Sequence, residues 1–175
     1  SSRELITIGY KANRNLSKII NDLLNVTQIE EGKFGLQFQE VNLVEFLDKL
    51  LVEAALVARA HQVNIYFERP QEKEIEVSID PVRLGLAVSN LIDNAIKYNV
   101  PNGQVTVAIE RKDDVIQVAI KDTGVGIPEE EVPKLFTKFF RAANVVKFSV
   151  EGSGLGLYII KNIITEHGGK IWVES

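Results

Sequence analysis

Two apolar runs, Val105 to Ile109 and Val115 to Ile120, flank the polar stretch Lys112-Asp113-Asp114. Strand side chains alternate faces, and a short polar turn joins antiparallel neighbours, so this pair reads as a β-hairpin. The hairpin lies among segments with helical spacing, which constrains the fold more than any other feature. A doubly wound parallel sheet needs a helical crossover between its strands, and a hairpin has none. Val63 to Phe67 and Ile75 to Ile79 alternate as strands should, and Lys170 to Glu174 begins one more. With the helices below, the expected architecture is a two-layer α+β sandwich, a mixed sheet packed on helices.

Leu5, Ile8, Ala12, Leu16, Ile19, Leu23 and Val26 recur at steps of three and four, predicting one long helix from about Glu4 to Ile29. Glu31-Gly32-Lys33 ends it, with Gly32 as the stop. Its stripe must be buried against another chain, another helix, or the rest of this chain. Asn42 caps a second helix, with Glu45 three residues on and Val41 and Phe46 spaced as a hydrophobic staple. Asp80-Pro81 opens a third, a cap followed by proline in the first turn, which runs to about Tyr98. A short helix is expected from Glu130 to Phe136, and a final one from Leu155 to His167, stopped by Gly168-Gly169. Arg141 to Ser153 has poor periodicity and reads as a mobile loop.

The 175 residues allow one domain and one extra element, and 45% hydrophobic content suffices for a core. A net charge of −4 disfavours nucleic acid as a partner, because phosphate backbones require basic surfaces. There is no cysteine, which excludes a disulfide framework and cysteine zinc sites. No apolar run reaches the roughly 20 residues that span a bilayer.

On the third helix, Asn90, Asn94 and Lys97 fall within about 60° of one another at about 100° per residue, beside a core face of Leu84, Val88, Leu91, Ile92 and Ala95. A carboxamide oxygen can ligate Mg²⁺, a lysine one turn on can meet phosphate, and Tyr98 could pack on a flat ring. A solvated helix face is the simpler explanation of the same residues. Asp122 precedes Gly124 and Gly126; a carboxylate there can accept from an exocyclic amine, although Asp and Gly are ordinary in turns. Gly152-Ser153-Gly154-Leu155-Gly156-Leu157 precedes a helix, where free amides bind phosphate readily; a plain flexible turn would look alike. It is neither a Rossmann fingerprint nor a Walker A sequence.

Order adds what each motif lacks. Asn90-Leu91-Ile92-Asp93-Asn94-Ala95-Ile96-Lys97-Tyr98 resembles the N box of sensor histidine kinases. Asp122 to Ile127 resembles their G1 box, Phe136 to Arg141 their F box, and Gly152 to Leu157 their G2 box. Asp80 to Leu84 and His167-Gly168-Gly169 extend the likeness over essentially the whole chain. The resemblance implies the Bergerat ATP-binding sandwich over residues 34–175 and the second helix of the dimerisation and histidine-phosphotransfer domain over 1–33. It implies that Asn94 ligates Mg²⁺ with Asn90 nearby, that Lys97 contacts phosphate, and that Tyr98 flanks the adenine. Asp122 would accept the adenine amino group, with Gly124, Gly126 and Ile127 shaping the base pocket. Arg141 and the segment to Ser153 would form a lid, and Gly152, Ser153, Gly154, Leu155, Gly156 and Leu157 the phosphate turn. Asn90, Asn94 and Lys97 would be the catalytic group. Phe136, Phe139 and Phe140 would anchor the lid.

The implied activity is transfer of the ATP γ-phosphate to a histidine, within a homodimer that signals to a response-regulator receiver domain. The implied location is the cytoplasm, with any membrane anchor outside this chain. The chain departs from the pattern in two ways. The first dimerisation helix, with its acceptor histidine, is absent; His61 and His167 lack the acceptor motif and are read as structural, so this chain alone is not expected to phosphorylate itself. The closing glycine turn and last strand are also missing, which would leave an open sheet edge. Two alternatives stay open. One is a Bergerat ATPase, although those usually carry an acidic residue where Asn90 stands, and an amide cannot take a proton at neutral pH. The other is a pseudokinase that only binds nucleotide or dimerises.

Overall fold

The computed structural model describes residues 2–148 and 152–175. In chain order the elements are α1 (Ser2–Glu30), β1 (Gln39–Asn42), α2 (Leu43–Ala60), β2 (Asn64–Glu68), β3 (Glu76–Ile79), α3 (Pro81–Lys97), β4 (Gln104–Lys112), β5 (Val115–Asp122), a 3-10 turn (Glu129–Lys134), α4 (Ala143–Phe148) and α5 (Gly156–Glu166). The hairpin forms as expected: β4 and β5 pair antiparallel, and Lys112 opposite Val115 leaves a two-residue turn. Asp113 takes a positive φ of 53° there, which Asp tolerates. β2 lies parallel to β4 on its other side, so the three-stranded sheet is mixed.

Helices cover this sheet. Leu47 of α2, Ile92 and Ile96 of α3, and Val105 and Val107 of β4 are almost fully buried in one core. Ala87 of α3 belongs to a second core with Ile159, Ile160 and Ile163 of α5, Phe34, and Val26 from the end of α1. α3 is therefore packed from two sides, which fixes the direction of its remaining face. Asp80 starts it: Oδ1 accepts the N–H groups of Val82 and Arg83 at 3.0 and 2.9 Å, and Pro81 fills the first turn.

Four expectations are corrected. Gln39–Asn42, read only as a staple and a cap, is also a strand that pairs antiparallel with β3; it is too short and polar to show alternation. The helix expected at Glu130 to Phe136 is a 3-10 turn, because Pro133 lacks the N–H an α-helix needs. The loop expected from Arg141 to Ser153 contains α4, whose six residues are too few for a period to register; residues 149–151 of that segment lie outside the described ones. Lys170 to Glu174 makes no ladder among the described residues, and a strand exists only by pairing. Ile171 packs on the second core, and Ser175 Oγ accepts from Ile127 N–H at 2.7 Å.

α1 is anchored at one end. Val26 is buried and Ile29 packs beside it, whereas Leu5, Ile8 and Leu16 are 72%, 63% and 56% exposed. No helix among the described residues is long and apolar enough to cross a membrane.

Candidate nucleotide site

The polar face of α3 forms one wall of a cavity of about 500 Å³, within the size range of small-molecule sites. Asn90, Asn94, Lys97 and Tyr98 all line it, as their shared helical face predicts. Arg141 and the turn Gly152, Ser153, Gly154, Gly156 and Leu157 line it from the opposite side of the chain's order. Asn90 Nδ2 donates to the Leu86 carbonyl at 2.8 Å, which orients its carboxamide along the helix. The Lys97 ammonium lies 5.2 Å from the centre of the Tyr98 ring.

Glycine is required at two places in this site. Gly154 has φ +70°, and a Cβ there would sit 2.7 to 2.9 Å from backbone atoms of Phe139. Phe139 itself has φ +62°, so the F-box and G2-box turns meet backbone to backbone. At Gly124 a Cβ would lie 2.4 Å from the Tyr98 carbonyl oxygen. That same oxygen accepts Val125 N–H at 3.1 Å, which joins the turn after β5 to the end of α3.

Asp122, Gly124, Gly126, Ile127 and Leu155 are not part of the cavity's lining. Asp122 Oδ1 accepts Gly124 N–H at 2.8 Å, which shapes the turn next to the cavity. Leu155 is buried in the second core, with its N–H donating to Ser153 Oγ at 3.3 Å. Phe140 lines the cavity, while Phe139 is exposed.

Several participants escaped the sequence reading. Asn99 is buried; its Nδ2 donates to the Ala95 and Gln104 carbonyls, and its Oδ1 accepts from Val100 N–H and Thr123 Oγ1. It thereby ties α3, β4 and the turn after β5 into one floor. Its position directly after the N box was the available signal. Asn144 of α4 donates from Nδ2 to the Gly126 carbonyl at 2.8 Å. Lys18 and Asp22 of α1, Asp93 of α3, and Val57 and His61 at the end of α2 also line the cavity. Nothing in their spacing announces that.

The two histidines differ. His167 Nε2 accepts Asp80 N–H at 3.0 Å, and its Nδ1 lies 2.8 Å from the Ile163 carbonyl. These contacts select the neutral ring with the proton on Nδ1, and they join α5 to the cap of α3. His167 therefore has the structural role expected of it. His61 is exposed and reaches the cavity wall. Burial alone would raise the pKa of Asp80, but the N–H groups of Gln37, Arg83 and Val82 and the Arg83 charge outweigh it and hold the carboxyl below the usual aspartate range. The hydrogen bond that the Lys138 ammonium donates to the Glu30 carboxylate, against some desolvation, holds its pKa above the usual lysine range.

The donors suit a polyphosphate: amide groups, an ammonium, a guanidinium, and backbone opened by glycine. Among the described residues no cluster of three or more His, Cys, Asp or Glu could hold a metal. The Asn94 carboxamide on the cavity wall offers an oxygen of the type that hard cations accept as a ligand.

Comparison with known proteins identifies the fold and the family. Residues 79–175 match the family described as histidine kinase-, DNA gyrase B-, and HSP90-like ATPase. The chain is 33% identical to the circadian input-output histidine kinase CikA of Synechococcus elongatus over 174 residues, 99% of this chain and 23% of that protein. It is 29% identical to the sensor histidine kinase WalK of Bacillus subtilis over 172 residues, 97% of this chain and 28% of that protein. It thus spans about a quarter of the length of these curated relatives. The solved catalytic domain of histidine kinase ThkA superposes with a TM-score of 0.70 at 30% identity, covering 80% of this chain and 88% of that one. ThkA in complex with the response regulator TrrA superposes with a TM-score of 0.76 at 26% identity, over 100% of this chain and 48% of that one. The chain belongs to the family of histidine kinase-, DNA gyrase B- and HSP90-like ATPases, as a catalytic domain of the histidine-kinase kind.

Proposed function

We propose that this chain binds ATP with Mg²⁺ in the cavity between α3 and the glycine turn before α5, and transfers the γ-phosphoryl group to a histidine carried outside it. The observation that carries this reading is the convergence of Asn90, Asn94 and Lys97 with Arg141, Gly152 and Gly154 on one cavity. Asn94 would hold the cation through its carboxamide oxygen, and Lys97 and Arg141 would neutralise phosphate oxygens. Gly154 and Gly156 would present backbone amides to the phosphates, while Tyr98 and Asp122 would hold the adenine. Mg²⁺, when bound, neutralises charge on the phosphate chain.

In the transfer, a neutral imidazole nitrogen forms the new N–P bond as the bond from the γ-phosphorus to the ADP oxygen breaks. The attacking nitrogen uses its own lone pair, so no side chain has to take a proton first. Asn90, an amide, suits that chemistry better than activation of water. Residues 1–33 would be the second helix of the dimerisation domain, with the exposed stripe of α1 facing the other helices of a homodimer. By analogy with ThkA bound to TrrA, the phosphoryl group would pass on to a receiver domain, on the cytoplasmic side of any membrane anchor.

The test is transfer in trans. Radiolabelled ATP, this chain and a separate histidine-bearing dimerisation fragment should yield acid-labile label on the fragment, lost in Asn94→Ala. Label on His61 or His167, or rapid ATP hydrolysis without transfer, would contradict the reading.

A further inference from the structure

Asp22 of α1 lies on the wall of the cavity and is tied to the glycine turn. The Ser153 hydroxyl donates to Asp22 Oδ2 at 2.8 Å, and Ser153 Oγ in turn accepts Leu155 N–H at 3.3 Å. Lys18, one helical turn before Asp22, lines the same wall. Contacts on the C-terminal side hold this part of α1 in place. Arg83 Nη1 donates to Asn25 Oδ1 at 3.1 Å, Val26 is buried against the α5 core, and Lys138 pairs with Glu30. The carboxylate is therefore presented to the turn by a docked helix.

This placement opposes the function of the turn. Ser153 stands between the two glycines, Gly152 and Gly154, that line the cavity. Its one hydroxyl proton, which could meet a phosphate oxygen, is given to Asp22. The carboxylate also adds negative charge to a wall otherwise furnished with Lys18, Lys97, Arg141 and amides, Asp93 being the other acid on the lining.

We infer that Asp22 sets the nucleotide affinity of this chain, by competing with the phosphates for the Ser153 hydroxyl and by repelling them, so that docking of α1 and binding of nucleotide oppose each other. The inference rests on the nucleotide reading above. Linkage makes it reciprocal: nucleotide weakens the hold of α1 on the glycine turn by the same factor.

The experiment is calorimetric titration of wild type, Asp22→Asn, Ser153→Ala and the double variant, each with Mg-ATP and with adenosine, which has no phosphate. Asp22→Asn keeps the shape and removes the charge. It should bind Mg-ATP roughly three- to tenfold more tightly, with a smaller gain at higher salt. Its affinity for adenosine should not change, because a merely structural effect would move both ligands together. In the Ser153→Ala background the gain from Asp22→Asn should shrink, since the hydroxyl in dispute is gone. Glu110→Gln, which removes one charge at the far end of β4, should leave both affinities as they were. Wild type that binds Mg-ATP beside an Asp22→Asn variant that binds it no better, or an equal gain for adenosine, would overturn the inference and leave the nucleotide site standing. Wild type that binds no nucleotide would overturn the site itself.

Discussion

α1 and α3 carry similar apolar stripes at steps of three and four residues, yet the structure treats them in opposite ways. Every large apolar residue on the core face of α3 is buried or half-buried, with Ile92 fully enclosed between α2 and the sheet. Most of the stripe on α1 faces solvent, and among its described residues the buried apolar contacts lie around Val26 and Ile29. Periodicity identifies a face that has to be covered but not what covers it. For α3 the cover is this chain. For the first five turns of α1 it is not, which is why the two helices differ in what they can report. α3 positions the site from within the core, while α1 reaches the cavity through Lys18 and Asp22, next to its packed end.

The difference can be tested by substitution, from the core outward. Ile92→Ala should cost about 2–5 kcal/mol in urea unfolding, since the cavity lies where neither α2 nor the sheet can collapse. A loss below about 1 kcal/mol would mean that α3 is not the packed centre. Val26→Ala, at the packed end of α1, should cost about 1–2 kcal/mol by the same measurement.

Asp80 supplies a pH test of the α3 cap. Its carboxyl is held below the usual aspartate range by Gln37, Val82 and Arg83 N–H groups and the Arg83 charge, against its burial. The stability it contributes is therefore complete above the unfolded-state pKa of about 4 and is lost as pH falls through the lower folded value. Unfolding free energies measured from pH 6 down to pH 2.5 should fall more steeply in wild type than in Asp80→Asn, the two converging as the carboxyl protonates. Parallel curves would remove the cap from the account.

The smallest effect should be at Leu16, exposed on α1. Leu16→Gln should change unfolding of the monomer by less than about 0.5 kcal/mol. Sedimentation should show any self-association falling in the same variant, because the face that would bring two copies together has been made polar. A large loss of monomer stability would place that face inside this chain after all.

What could be read from the sequence follows the same division. The hairpin, the Asp80-Pro81 start of α3 and its polar face of Asn90, Asn94 and Lys97 depend on near neighbours, and local spacing is enough to see them. The strand Gln39–Asn42 exists because β3 lies beside it. Lys170 to Glu174 has the alternation without a ladder among the described residues. Cavity residues from distant segments, such as Asp22, Val57 and His61, have no local signature, because only folding brings them to α3. Asn99 lies between these cases: its position next to Tyr98 and its bonds to Ala95 and Val100 are local, but its bonds to Gln104 and Thr123 depend on β4 and the turn after β5.

The most direct test of the nucleotide site is a calorimetric titration of the wild-type chain with ATP and Mg²⁺, beside Asn94→Ala and Asp122→Asn. The account predicts saturable binding at one site in the wild type and its loss in both variants, with each variant still folded. A folded wild type that gives no binding heat, or variants that bind as well as the wild type, would contradict it.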